Sequence, residues 1–107
     1  MQSFQRISVE QAKELLQQVE TRVVDIRDEV SFANGHIENA IHLSNHNVQQ
    51  FLAEIEEETP VIVVCYHGHS SQQAAQFLAE QGCKATFSMD GGMEAWAFNN
   101  PTVAGSE

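Results

Sequence analysis

Short apolar strands alternating with helix-forming segments predict an α/β domain built on a mainly parallel sheet. Three observations carry that prediction. First, Val61-Ile62-Val63-Val64 is a run of four β-branched apolar residues, the pattern of a strand buried on both faces. Second, the run stops at Cys65, and a loop containing Gly68, Ser70 and Ser71 leads into Gln72–Glu80, whose high helix propensity and apolar Ala75, Phe77 and Leu78 predict an amphipathic helix. Third, the same strand-then-helix order recurs before and after this unit with no internal repeat and no linker. A length of 107 residues then suits a single domain over 1–107.

Taken in order, Phe4–Ile7 reads as a first strand. Ser8 follows as a helix N-cap with Gln11 at the capping-box position. Val9, Ala12, Leu15, Leu16 and Val19 recur at helical spacing and so turn one face inward. Thr21–Ile26 is a second, β-branched strand ending in Asp25-Ile26-Arg27-Asp28. Asp28 caps a short helix, Glu29–Ala33, which Asn34-Gly35 closes as a left-handed C-cap. Ala40–Leu43 is a third strand. Asn45 or Asn47 opens a helix to about Ile55 that buries Val48, Phe51, Leu52 and Ile55. The Glu56-Glu57-Glu58 run reads as a solvated helix end, and Thr59-Pro60 stops the helix before the central strand. Gln81-Gly82 is a C-cap, Ala85–Met89 a fifth strand, and Asp90-Gly91-Gly92 a turn into a helix holding Met93, Ala95, Trp96 and Phe98. Trp96 is expected in the core or at the lip of a pocket, and 101–107 as a loose tail.

Composition narrows the function classes. Hydrophobic residues at 42% and charged residues at 19% fit a soluble globular protein. The longest apolar run is far too short to span a bilayer, and the N-terminus lacks the apolar core of a signal peptide, so a cytoplasmic location is expected. With 15 acidic residues against 5 basic ones, the net charge of −10 argues against nucleic acid as a partner. It also means that an anionic substrate must be held by local groups. Two cysteines do not make a metal quartet or a disulfide framework; Cys83, after Gly82, reads as a small packing residue.

Cys65 reads differently. In open parallel sheets the C-terminal tips of strands are where ligands bind. The N–H groups of the following loop and of the helix N-terminus form an anion site, which also raises the thiolate fraction of a cysteine placed there. A Cys-based phosphatase would need an arginine six positions on to grip phosphate bidentately; that position is Ser71, so phosphoryl transfer is disfavoured. Ser70 and Ser71 suit two roles, capping the helix and donating hydroxyl bonds to a bound sulfur. His67 and His69 are the titratable cations of the loop. Two readings stay open for them: imidazoles that draw in an anion, or side chains pointing outward while main-chain donors bind.

The Cys65-Tyr66-His67-Gly68-His69-Ser70 loop resembles the active-site loop of the rhodaneses, a sulfurtransferase family. The resemblance extends to Val24–Asp28 with Gly35–His42, and to Asp90–Trp96, so it covers most of the chain. His69 departs from the asparagine expected there, which bears on loop charge and substrate preference. The resemblance implies a rhodanese-like three-layer α/β/α fold with a mainly parallel five-stranded central sheet. It also implies a thiosulfate sulfurtransferase in which Cys65 is the nucleophile and Tyr66, His67, Gly68, His69, Ser70 and Ser71 form the substrate-binding loop. The expected acceptor is cyanide, a small thiol or dithiol, or a thioredoxin-like protein, with no metal or other cofactor. The alternative is a persulfide carrier that relays sulfur between protein partners. The resemblance puts Asp25 and Arg27 near the loop, where they read as an ion pair fixing loop geometry rather than as substrate contacts. His36 and His42 read as hydrogen-bonded scaffold residues, and His46 has no support for a role.

Overall fold

The apolar run Val61–Val64 becomes β4, and every one of its residues is buried, as a strand covered on both faces must be. The computed structural model describes residues 3–105. Around β4 the chain lays down β1 (Gln5–Ile7), α1 (Val9–Gln18), β2 (Arg22–Asp25), α2 (Glu29–Asn34), β3 (Ile41–His42), α3 (Val48–Glu54), α4 (Ser70–Glu80), β5 (Thr86–Met89) and α5 (Gly92–Asn99). The sheet order is β1-β5-β4-β2-β3 and every ladder is parallel, where the sequence suggested only a mainly parallel sheet.

Side chains alternate across the sheet and so assign the helices to two layers. Ile62 and Val64 join Ala12 of α1, Phe32 of α2, and Met93 and Trp96 of α5 in one core. Val61 and Val63 join Phe51 of α3 with Ala75 and Leu78 of α4 in the other. The result is a three-layer α/β/α arrangement. Each fully buried valine or isoleucine of β4 contributes about 1.5–3 kcal/mol relative to exposure.

Local signals are realised at several ends. Ser8 and Gln11 form a reciprocal capping box on α1, and the Asp28 carboxylate accepts from the Ser31 N–H at the start of α2. Five expectations need correction. Gly35 has φ 173, extended backbone rather than a left-handed cap, and its N–H still closes on the Phe32 carbonyl. Asn47 precedes α3 without capping it, because its side chain accepts from Ser44 N–H and donates to the His42 carbonyl. Phe77 and Phe98 are exposed, since the core face of α4 is satisfied by Ala75, Leu78 and Ala79, and that of α5 by Met93 and Trp96. The segment expected to be a loose tail is pinned: Val103 exchanges two backbone hydrogen bonds with His36, Gly105 N–H donates to Ala33, and the Trp96 indole donates to the Pro101 carbonyl. Residues 106–107 of that tail lie outside the described residues. Finally, α4 starts at Ser70, two residues before the expected Gln72, for a reason that lies in the loop before it.

Because all strands run the same way, Asp25 at the end of β2, Cys65 after β4 and Asp90 after β5 come to one edge of the sheet. From β2 the chain passes through α2 to β3 on one side; from β4 it passes through α4 to β5 on the other. The paired strands β2 and β4 are therefore the topological switch point, where connections diverge and leave room for a ligand.

Candidate active site

Cys65 directly follows β4 and is only 3% exposed. Its Sγ accepts hydrogen bonds from the N–H groups of Gly68 and Ser71, each at 3.2 Å. Ser71 lies in the first turn of α4, where N–H groups have no intrahelical partner. The sulfur thus stands where a capping side chain would. This explains the early start of α4 and corrects the assignment of Ser70 and Ser71 as caps: both are inside the helix, and His69 at the N-cap position makes no side-chain cap bond.

Burial pushes the Cys65 pKa up, but the Ser71 hydroxyl and the N–H groups of Ser71, Gly68 and His67 outweigh it and hold the thiol below its ordinary value. Cys83 is equally buried, lacks such donors, and burial pushes its thiol up. Ser71 is fully buried, and its Oγ lies 2.8 Å from Ser88 Oγ on β5. With the Ser71 proton turned to the sulfur, Ser88 donates to Ser71, a two-hydroxyl relay ending on the thiolate. Ser71→Ala is therefore expected to raise the Cys65 pKa, because the thiolate loses a charge-assisted hydrogen bond. The sign follows from the loss of a donor to the anion, so at neutral pH the thiolate fraction falls. Alkylation by iodoacetamide, mapped to Cys65 across pH, checks this; an unmoved midpoint would refute the relay.

The loop is shaped from behind by the β5–α5 turn. Met93 N–H donates to the Cys65 carbonyl at 2.7 Å and Glu94 N–H to the Tyr66 carbonyl at 3.1 Å, both from the first turn of α5. In a trans peptide the C=O and N–H point opposite ways, so anchoring these two carbonyls turns the Tyr66 and His67 N–H groups away from α5. Gly92 makes the approach possible. It has φ 59, and a Cβ there would come within 2.5 Å of the Cys65 and Tyr66 carbonyl oxygens. Gly68, at φ 91, meets the same turn from the other side: its Cβ would lie 2.7 Å from the Gly91 nitrogen.

The loop side chains turn to the rim. The Tyr66 hydroxyl donates to the Asp28 carboxylate and lies 3.2 Å from Ser31 Oγ. The Tyr66 hydroxyl first, and then Ser31, lower the Asp28 pKa to about 2. Exposed His67 meets Glu94 through Nδ1 and Oε1 at 2.7 Å, and His69 is exposed. Asp25 and Arg27 pair bidentately, at 2.8 Å between Nη2 and Oδ2 and 3.0 Å between Nε and Oδ1. Arg27 also donates to the Gly35 carbonyl at 2.7 Å and lies 5.9 Å from the centre of the Tyr66 ring, which places the pair beside the loop. His36 Nδ1 bonds to the Phe32 carbonyl and His42 Nε2 to the Arg27 carbonyl, with both rings stacked on Phe32. His46 is exposed beside a cavity of about 910 Å³, which Arg27, Ser44, Gln73 and Phe77 also line. A second, of about 490 Å³, lies between Arg27, Tyr66, His67 and Glu94. Sequence reasoning missed Ser88, Gly92 and Glu94 as parts of this site. The diglycine was legible as a turn, but nothing local signals its contact with Cys65.

The sequence profile described as the Rhodanese-like domain matches residues 8–99. A protein of Ectopseudomonas mendocina named thiosulfate sulfurtransferase GlpE is 49% identical over 109 residues, covering 100% of this chain and 99% of that protein. The protein of the same name from Shewanella oneidensis is 47% identical over 96 residues, covering 90% and 95%. Among solved structures, the rhodanese-like domain of an Anabaena protein superposes with TM-score 0.81 at 22% identity over 92% of this chain and 78% of that one. A rhodanese-related protein from Thermoplasma volcanium gives 0.78 at 24% identity over 94% and 98%. At these identities the two structures speak for the fold alone.

Proposed function

This chain belongs to the rhodanese-like domain family, and on that footing we propose that it is a thiosulfate sulfurtransferase working through a persulfide on Cys65. One observation carries the reading: a thiol at the switch point of a parallel sheet accepts two main-chain N–H bonds and is held below its ordinary pKa. The Cys65 thiolate attacks the outer sulfur of thiosulfate. The S–S bond of thiosulfate breaks, its electron pair leaves with sulfite, and Cys65 keeps a persulfide, Cys65–S–S⁻. An acceptor then removes the outer sulfur: cyanide leaves as thiocyanate, a thiol as its persulfide, and the Cys65 thiolate is regenerated.

The Gly68 and Ser71 N–H groups that face Sγ, together with that of His67, are the donors available to an anion at the site, fixed in advance by the anchored carbonyls. Gly68 permits the loop path, Ser71 supplies a hydroxyl, and Ser70 opens the helix. Tyr66, His67 and His69 frame the mouth. Asp25 and Arg27 support the loop rather than touching the substrate. The whole reaction is assigned to one domain in the cytoplasm. Among the described residues no helix is long and apolar enough to cross a membrane.

Treatment with thiosulfate is expected to add one sulfur, about 32 Da, to Cys65, and cyanide to remove it again. Cys65→Ser should take up none, and Cys83→Ser should load normally. Sulfur confined to Cys83 would overturn the assignment. A second reading, a carrier taking sulfur from one protein and passing it to another such as a thioredoxin-like dithiol, is favoured by the want of a lysine or arginine in the loop, because thiosulfate is a dianion. A thiosulfate KM far above cellular concentrations, with efficient transfer to a protein dithiol, would select it.

A further inference from the structure

The mouth of the Cys65 loop is electrostatically unlike a site built to attract anions. No lysine or arginine occurs in the loop, and the guanidinium that lies over Tyr66, Arg27, is closed onto Asp25 and the Gly35 carbonyl. Arg6, Arg22 and Lys84 are paired as well, with Asp90, with Glu20, and with Glu57 and Glu58. Two carboxylates, by contrast, touch loop side chains directly: Asp28 at the Tyr66 hydroxyl and Glu94 at His67 Nδ1. Glu94 is also held by its main chain, whose N–H donates to the Tyr66 carbonyl, so its position relative to the loop is fixed. The His67–Glu94 pair is neutral when the imidazole is protonated and carries one negative charge when it is not. In neither state does it present net positive charge.

We infer that Glu94 is a specificity-determining residue for the sulfur donor. By occupying His67 it keeps that side of the mouth neutral or negative, leaving exposed His69 as the other loop imidazole, and so favours sulfane sulfur carried on a neutral or cationic group over sulfur carried on an anion. The inference rests on the sulfurtransferase reading of Cys65 and names its preferred donor class: persulfides R–S–SH in which R is uncharged or positive. The Cys65 thiolate attacks the outer sulfur, the donor S–S bond breaks, and R–S⁻ leaves with its electron pair. The proton stays on the transferred sulfur as Cys65–S–SH, and no oxidant is required. Thiosulfate is accepted through the main-chain donors despite the charge at the mouth.

An acid in the first turn of α5 also favours that helix through its dipole, but that effect moves stability and leaves donor charge selection untouched. The test therefore uses two donors matched except in charge, the persulfides of cysteamine and of 2-mercaptoethanesulfonate. The ratio of their kcat/KM values is compared between wild type and variants, so that differences in intrinsic reactivity cancel. Glu94→Gln is expected to shift the ratio toward the sulfonate about three- to tenfold, and Glu94→Lys further, as expected for a unit charge within about a Debye length of the donor. The shift should collapse in 1 M salt, where the Debye length is about 3 Å. A ratio unchanged within twofold in both variants, with Cys65 still loading sulfur, overturns the inference alone. Failure of wild-type Cys65 to load from any donor overturns the functional reading as well.

Discussion

Gly92→Ala is expected to lower the thermal midpoint by roughly 10–20 °C and sulfur transfer about a hundredfold. The added Cβ would meet three main-chain atoms, the Cys65 and Tyr66 carbonyl oxygens at 2.5 Å and the His67 nitrogen at 2.6 Å. Backbone cannot rotate out of the way as a side chain can, so either α5 or the loop must move. The position also has φ 59, where a side chain adds its own strain. Together these cost about 3 kcal/mol or more. The loss of activity should exceed the loss of stability, because displaced carbonyls misaim the N–H groups around Sγ. Calorimetry and single-turnover loading of Cys65 measure the two effects separately. A variant that keeps wild-type loading would show that the contact behind the loop does not set its geometry.

Asp25→Ala is expected to cost about 3–5 kcal/mol, read as a drop in the urea midpoint, because it strands a buried guanidinium. The side chain of Asp25 is fully buried and that of Arg27 only 9% exposed, so water cannot take the place of the lost partner. Solvent-exposed pairs such as Arg22–Glu20 are worth about 1 kcal/mol at most, so removing that pair sets the scale. Part of the Asp25 cost should appear at the loop, since Arg27 lies over Tyr66 and β2 pairs with β4 up to Asp25 and Val64. A loss no larger than that of the exposed pair would mean that the bidentate geometry contributes nothing beyond a surface contact.

Wherever a signal is local, the amino-acid sequence by itself determined the outcome. Four β-branched residues at 61–64 have no favourable placement except a strand buried on both faces, and they became the middle strand. Ser8 and Gln11, three apart, can satisfy each other's backbone at one helix end, and they do. Cys65 could be placed at a strand tip before a glycine-containing loop because strand propensity ends there and helix propensity begins soon after.

Only the tertiary structure decided what depends on residues far apart in the chain meeting. Ser88 reaches Ser71 across 17 positions and Glu94 reaches His67 across 27, and neither carries a mark that separates it from other polar residues. The helix α4 starts earlier than propensity predicts because its cap is a sulfur rather than a hydroxyl, a substitution that propensity cannot register. The tail was expected to be loose because its composition is weak, yet a short backbone bridge to His36 holds it, and main-chain hydrogen bonds carry no side-chain signature. Strand order belongs with these. Period and propensity tell a strand from a helix, but the choice of neighbours rests on which faces bury together, and that choice brought Asp25, Cys65 and the diglycine turn to one edge.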